Sequence, residues 1–425
     1  MAEISKAGDI PSMNQERSKE PLYIIALAIT TIIAAIFVLQ VPLQQDVYPV
    51  DRFFLGFDYY DFYQASMNLR HGKSPYSVEK YVTPPIPAII NLPATFFPFQ
   101  YVRYIVLVGL FISVALGLFL FVRDLAPPQP AEAKYHVLLY FIIMAFSYPF
   151  AFLLDRGNID GFVLLLLSCG IYFTTRVQWL AAGLFALAIS MKVYPVLVIF
   201  PIVAARKWRL LLFTIIAVLI LILAAPGYWY EFVTERLLRR ISTFRRIENA
   251  SILCTFYHVG MVCEQLFNRW ITIPFVTIFM RLAMFMYGIL LLSSFALDAR
   301  DTFLQRPQKF GIKASMYLPF MVAMPQLAYH YELVCLLALI PVLCWYWNRC
   351  STPAQRTVVI GTSIGIVTSQ FPAVTMTTLT QRGLWHFVPG LGLFIVLIGV
   401  VALRIAWWSS LQVELLESER LRGLS

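Results

Sequence analysis

Apolar runs of about 18 or more residues recur along this chain, and a run of that length is what a helix needs to cross the hydrocarbon core of a bilayer. They lie near 22–41, 101–122, 135–154, 159–175, 208–226, 272–297, 314–329, 331–347, 356–371 and 385–407. A helix at the surface of a soluble domain is apolar along one stripe only. These runs are apolar all round, which predicts an all-α integral membrane protein. Composition agrees: the chain is 60% apolar and 13% charged, against about 25% charged in ordinary soluble domains. A soluble enzyme, a disordered scaffold and a nucleic-acid module are excluded. The net charge of +10 is dispersed among apolar runs, so no nucleic-acid partner is expected.

The segment 178–205 decides the topology. Lys192 in the middle of a lone span would be expensive, and Pro195 breaks a helical hydrogen-bond ladder. Two short helices meeting near Lys192 and Pro195 are therefore preferred over one tilted helix, giving about twelve spans. The polar residues 1–20, with Lys6, Arg17 and Lys19, then form a cytoplasmic tail. The first apolar run is too long for a signal-peptide core, so it is read as an uncleaved span. Residues 21–408 form the membrane domain and 409–425 a second cytoplasmic tail. Two long stretches, 42–100 and 227–271, become external loops. Long loops are usually functional. Exporting the second loop also exports Arg236, Arg239, Arg240, Arg245, Arg246 and Arg269, against the positive-inside rule. An anionic ligand would justify that; a patch on anionic headgroups is the plainer reading. Residues 60–70 are read as a short interfacial helix.

Several polar groups interrupt the apolar pattern. Asp58 and Asp61 follow the first span, and a carboxylate there could remove a proton from a hydroxyl; they could equally be interface charges, one of them capping a helix. Asp155, Arg156, Gly157 and Asn158 form a polar turn in which Asp155 and Arg156 could simply pair. Lys192 could snorkel to headgroups or bind a lipid phosphate. His330, between Tyr329 and Glu332, could donate to a phosphate or orient a base. Six cysteines are present. Cys254 and Cys263 fall in the second loop and leave a disulfide open. No Cys-x-x-Cys or His-Glu-x-x-His spacing occurs, so no metal is expected.

Asp58 with Phe62, Tyr63 and Ala65, then Gly72, Pro75, Tyr76, Tyr81, Pro84 and Pro85, then Gly157 and Asn158, Gly183, Lys192 and Pro195, Arg206 to Arg209, Asn249 to Ser251, and Pro325 with Tyr329 and His330 form an ordered set. In order and kind this set resembles glycosyltransferase family 87. One histidine stands where the family commonly has two, and Ala250 replaces the usual Gln. The resemblance implies a GT-C-type multi-span helical bundle whose active site faces the periplasm or exterior. It implies a polyprenyl-phosphate sugar as co-substrate, without a cofactor, and Asp58 as general base.

The expectation is an inner-membrane hexosyltransferase. It moves a hexose, first of all mannose, to a lipid or glycan acceptor with inversion. Asp58 and His330 are expected to be catalytic. Lys192, Arg156, Arg245 and Arg246 would bind the donor phosphate, and Asp61, Tyr63, Asn158 and Asn249 the acceptor or sugar. Partners are the lipid-linked donor, the acceptor and membrane lipids, with the chain a monomer. The alternatives are a polyprenyl-phosphate-arabinofuranose transferase, a flippase of lipid-linked saccharides, and a ligase or acyltransferase of the envelope.

Overall fold

The computed structural model describes residues 56–125, 144, 147–237, 251–267, 274–303, 310–323, 330–347, 350–370 and 388–422. They are helical, with no strand among them. In chain order the helices are α1 (Phe57–Arg70), α2 (Ile86–Ile90), α3 (Phe99–Leu125), α4 (Tyr148–Arg156), α5 (Asp160–Phe173), α6 (Gln178–Met191), α7 (Ile199–Ala204), α8 (Trp208–Leu223), α9 (Pro226–Glu231), α10 (Ile252–Phe267), α11 (Phe275–Phe303), α12 (Phe310–Ser315), α13 (Leu318–Val322), α14 (Ile340–Trp347), α15 (Pro353–Ser369) and α16 (Val388–Arg422). Two 3-10 segments matter below, Tyr194–Val198 and His330–Leu339.

Among the described residues three helical stretches are long and apolar enough to cross a membrane: Phe99–Phe121, Phe275–Thr302 and Val388–Trp407. Trp208–Leu223 with Pro226–Leu237 makes a fourth if that pair, bent by 99°, is one span. This is fewer than the apolar runs suggested. The expected spans 22–41 and most of 135–154 lie outside the described residues. Elsewhere, runs that read as single spans are broken into short pieces. The run 314–329 contains α13 with Pro319 at its start, and 331–347 divides at Ile340–Pro341 into a 3-10 segment and α14. Proline lacks the amide hydrogen that a continuous helix needs, so apolar length overstates helix length there. The final helix runs on to Arg422, past the expected boundary at 408.

Lipid-facing surfaces are plain on the long helices. Tyr101, Ile105, Val108 and Ile112 on α3, and Leu212, Ile216, Leu219 and Leu223 on α8, are exposed at three- to four-residue spacing. Exposed apolar stripes of this length have no stable place in water. Helix pairs meet through small residues, as expected where lipid offers no hydrophobic drive for association. On the α15–α16 seam, a Cβ on Gly392 would sit 2.3 Å from the Ser369 nitrogen, and one on Gly399 2.2 Å from the Thr362 hydroxyl.

A helix covers the expected 60–70: α1, which starts earlier at Phe57 and buries Tyr59, Phe62, Tyr63, Ala65 and Ser66. The helix break at Lys192 is also present: α6 ends at Met191 and Lys192 is extended. The open disulfide is closed off. Neither Cys254 nor Cys263 is in a disulfide, and both lie on helix α10. Nine residues of helical rise separate them by about 13.5 Å, beyond the reach of a bridge.

Candidate active site

The site begins with a contact between two glycines. Gly56 and Gly157 both have left-handed backbones, φ 84° and 65°, which glycine adopts without steric cost. The Gly56 amide donates to the Asp155 carbonyl at 2.7 Å. A Cβ on Gly157 would lie 2.9 Å from the Gly56 Cα. The start of α1 is thereby pressed against the end of α4. Asp58 stands in the first turn of α1 and Arg156 in the last turn of α4, so each charge also suits the dipole of its own helix.

The two side chains meet there. Arg156 Nη2 lies 2.7 Å from Asp58 Oδ1, with side chains 24% and 15% exposed. The Asn158 amide donates to Asp58 Oδ2 at 2.9 Å. The guanidinium also lies 4.7 Å from the centre of the Phe57 ring and 5.9 Å from that of Phe152, within range for cation–π attraction. Arg156 thus reaches Asp58 across the chain, while its charge also acts on neighbouring Asp155.

Beneath it is a second pair. Asp160 opens α5 and is fully buried. Its Oδ2 lies 3.2 Å from Lys192 Nζ, and its Oδ1 accepts from the Tyr194 hydroxyl at 2.7 Å. The break in α6 makes this possible, because the extended Lys192 and the turn led by Tyr194 and Pro195 both face the start of α5. Glu332, buried in the 3-10 segment, acts electrostatically on the same lysine. Lys192 is thus neither snorkelling nor loose: an acidic shell holds its charge.

Asp61 lies one turn along α1 from Asp58, on the same face. Burial, and then the Asp58 charge, push its carboxyl up to about 6, against the pull of Lys80 and Arg156. The folded state therefore binds this proton more tightly than the unfolded chain. Between about pH 4 and pH 6 the folded state holds more protons, so this group's contribution to stability falls as pH rises through that window. Asp61→Asn is expected to flatten the dependence and to stabilise the protein at pH 7. Thermal unfolding in detergent across pH 4–8 checks this; an unchanged slope refutes it.

The fold brings Asp58, Asp61, Arg156, Asn158 and Lys192 into one region. Tyr63 stands apart, buried, with its hydroxyl donating to the Phe97 carbonyl at 2.8 Å. Arg245, Arg246 and Asn249 lie outside the described residues, as does the side chain of His330, whose backbone starts the 3-10 segment. Arg236, grouped by spacing with the arginine cluster, is held by the backbone of the first loop. It donates to the carbonyls of Tyr76, Val78 at 3.3 Å and Glu79 at 3.0 Å, clamping the segment after α8 onto the loop after α1. Sequence reasoning missed Asp160, Glu332 and the Tyr194 hydroxyl. The signal for Asp160 was available: a carboxylate facing a long apolar run needs a buried partner, and Lys192 was the nearest unexplained cation.

The family model described as glycosyltransferase family 87 matches residues 81–325, more than half of the chain. The match includes Arg156, Asn158, Asp160 and Lys192; Asp58 and His330 flank it. No curated protein matches the chain.

Proposed function

The chain belongs to glycosyltransferase family 87, and on that premise we propose that this membrane glycosyltransferase moves a hexose, first of all mannose, from a polyprenyl-phosphate donor to a lipid or glycan acceptor. The observation that carries the reading is Asp58, a carboxylate at a partly open lip, aimed by Arg156 and Asn158. In this proposal Asp58 takes the proton of the acceptor hydroxyl. The oxygen forms a bond to the anomeric carbon while the bond from that carbon to the phosphate oxygen breaks. The polyprenyl phosphate leaves with the electron pair and the anomeric configuration inverts.

Charge develops on the leaving phosphate, and fixed cations aimed at it are commonly the largest catalytic effect. Arg156, Arg245, Arg246 and His330 are the proposed contacts. Lys192, already held by Asp160, contributes through the field of the pair. Asp61, Asn158 and Asn249 are assigned to the acceptor and sugar. The proposed architecture is a GT-C bundle of about twelve spans, with the site on the periplasmic or outer face of a bacterial inner membrane, both termini cytoplasmic and no cofactor.

The test is transfer of radiolabelled sugar from synthetic polyprenyl-phosphate mannose to extracted membrane lipids by the purified protein. Labelled product supports the reading. Transfer from the arabinofuranose donor alone would change the sugar. Movement of a lipid-linked saccharide across a sealed bilayer, with no transfer from either donor, would replace the enzyme with a flippase.

A further inference from the structure

The two ion pairs of the site differ in a way that matters once a phosphate is offered to them. In the Lys192–Asp160 pair the carboxylate is fully buried and is held a second time by Tyr194. Separating it would strand a charge in the interior, which is costly, so this pair stays closed. In the Arg156–Asp58 pair both side chains are partly exposed at the lip, and separation strands neither. The guanidinium has a seat of its own against the rings of Phe57 and Phe152, which holds a cation whether or not the carboxylate is engaged. Asn158 holds the other carboxylate oxygen, so Asp58 stays aimed if the arginine moves.

While Arg156 holds Asp58 Oδ1, that oxygen is not open to an acceptor hydroxyl. A phosphate monoanion or dianion is an equally good bidentate partner for arginine.

We propose that Arg156 is shared between Asp58 and the donor phosphate: it holds Asp58 Oδ1 before the donor binds, is drawn to the phosphate when the donor arrives, and so frees that oxygen for the acceptor proton. Donor then precedes acceptor. This rests on the reading that the donor is a polyprenyl phosphate.

Thermodynamic coupling tests it without turnover. The probe is a short-chain polyprenyl monophosphate lacking sugar, titrated into the purified full-length protein in nanodiscs. Asp58→Asn replaces the charged competitor for Arg156 by a neutral one and is expected to tighten binding about fivefold or more, the lower range of site–site coupling. Arg156→Gln weakens binding. In the Arg156→Gln background, Asp58→Asn is expected to change nothing further. Equal tightening in both backgrounds would mean that Asp58 acts through its field alone, and overturns the sharing. Unchanged or weaker binding in Asp58→Asn overturns it as well, while leaving the donor reading standing. No binding by wild type or any variant removes the donor reading and the proposal with it.

Discussion

Replacing Asp58 by Asn is expected to leave a folded, inserted protein whose sugar transfer falls by about 10²–10⁴, the range supplied by a positioned general base. The structure explains why the fold should survive. An Asn at this position keeps one carbonyl oxygen for the Arg156 guanidinium. Its new amide faces Asn158, whose Oδ1 has no hydrogen-bond partner. Rotating the Asn158 amide end for end presents that oxygen and restores the contact. The Asn158 bond becomes a neutral one and the partly exposed ion pair to Arg156 becomes a guanidinium–amide hydrogen bond, changes of about 1 kcal/mol each. The chemistry has no such remedy, because an amide does not accept the acceptor's proton. The check is kcat for labelled transfer beside thermal unfolding in detergent, both on purified protein. Activity near wild type would remove Asp58 from the base role and point to Asp61, one turn away.

What the sequence made legible follows from which interactions are local. The break at Lys192 was readable because proline and an interior charge each act on their own helix. Helix α1 was readable from its alternation of aromatic and charged residues, and the polar turn 155–158 from its contrast with the runs beside it. The partners were not readable. Arg156 joins Asp58 across about 100 residues of chain through a glycine contact that only the packed backbone reveals. Arg236 shows the same limit: spacing grouped it with an arginine cluster, and only the packed backbone reveals that its two terminal nitrogens donate to three carbonyls of the first loop. Apolar length also misled. Pro319 and Pro341 divide runs that hydropathy alone joins, because transfer into lipid depends on composition and helix continuity depends on the amide ladder.

The second large effect is expected outside this site, at Arg404. Asp298 and Lys313 are buried and meet Arg404 of the last helix. Arg404 Nη2 lies 3.1 Å from Asp298 Oδ2, and Nη1 donates to the Ser294 carbonyl at 3.0 Å. Lys313 Nζ donates to the Thr302 hydroxyl at 2.8 Å and to the Asp298 carbonyl at 3.3 Å. The cluster ties α11, α12 and α16 together where no water competes. Arg404→Ala leaves a fully buried carboxylate without its main partner, which costs about 3–5 kcal/mol. Arg404→Met with Asp298→Asn and Lys313→Met removes all three charges at similar volume and is expected to be milder than the single change, since the loss in the single variant is mainly that of an anion deprived of its closest cation. A single variant as stable as wild type in a detergent thermal melt would show that the pair adds nothing. No residue of this cluster belongs to the candidate site, so the loss is expected to be one of stability alone: the fraction of Arg404→Ala that remains folded should transfer sugar at the wild-type kcat, which separates the two buried charge clusters by role.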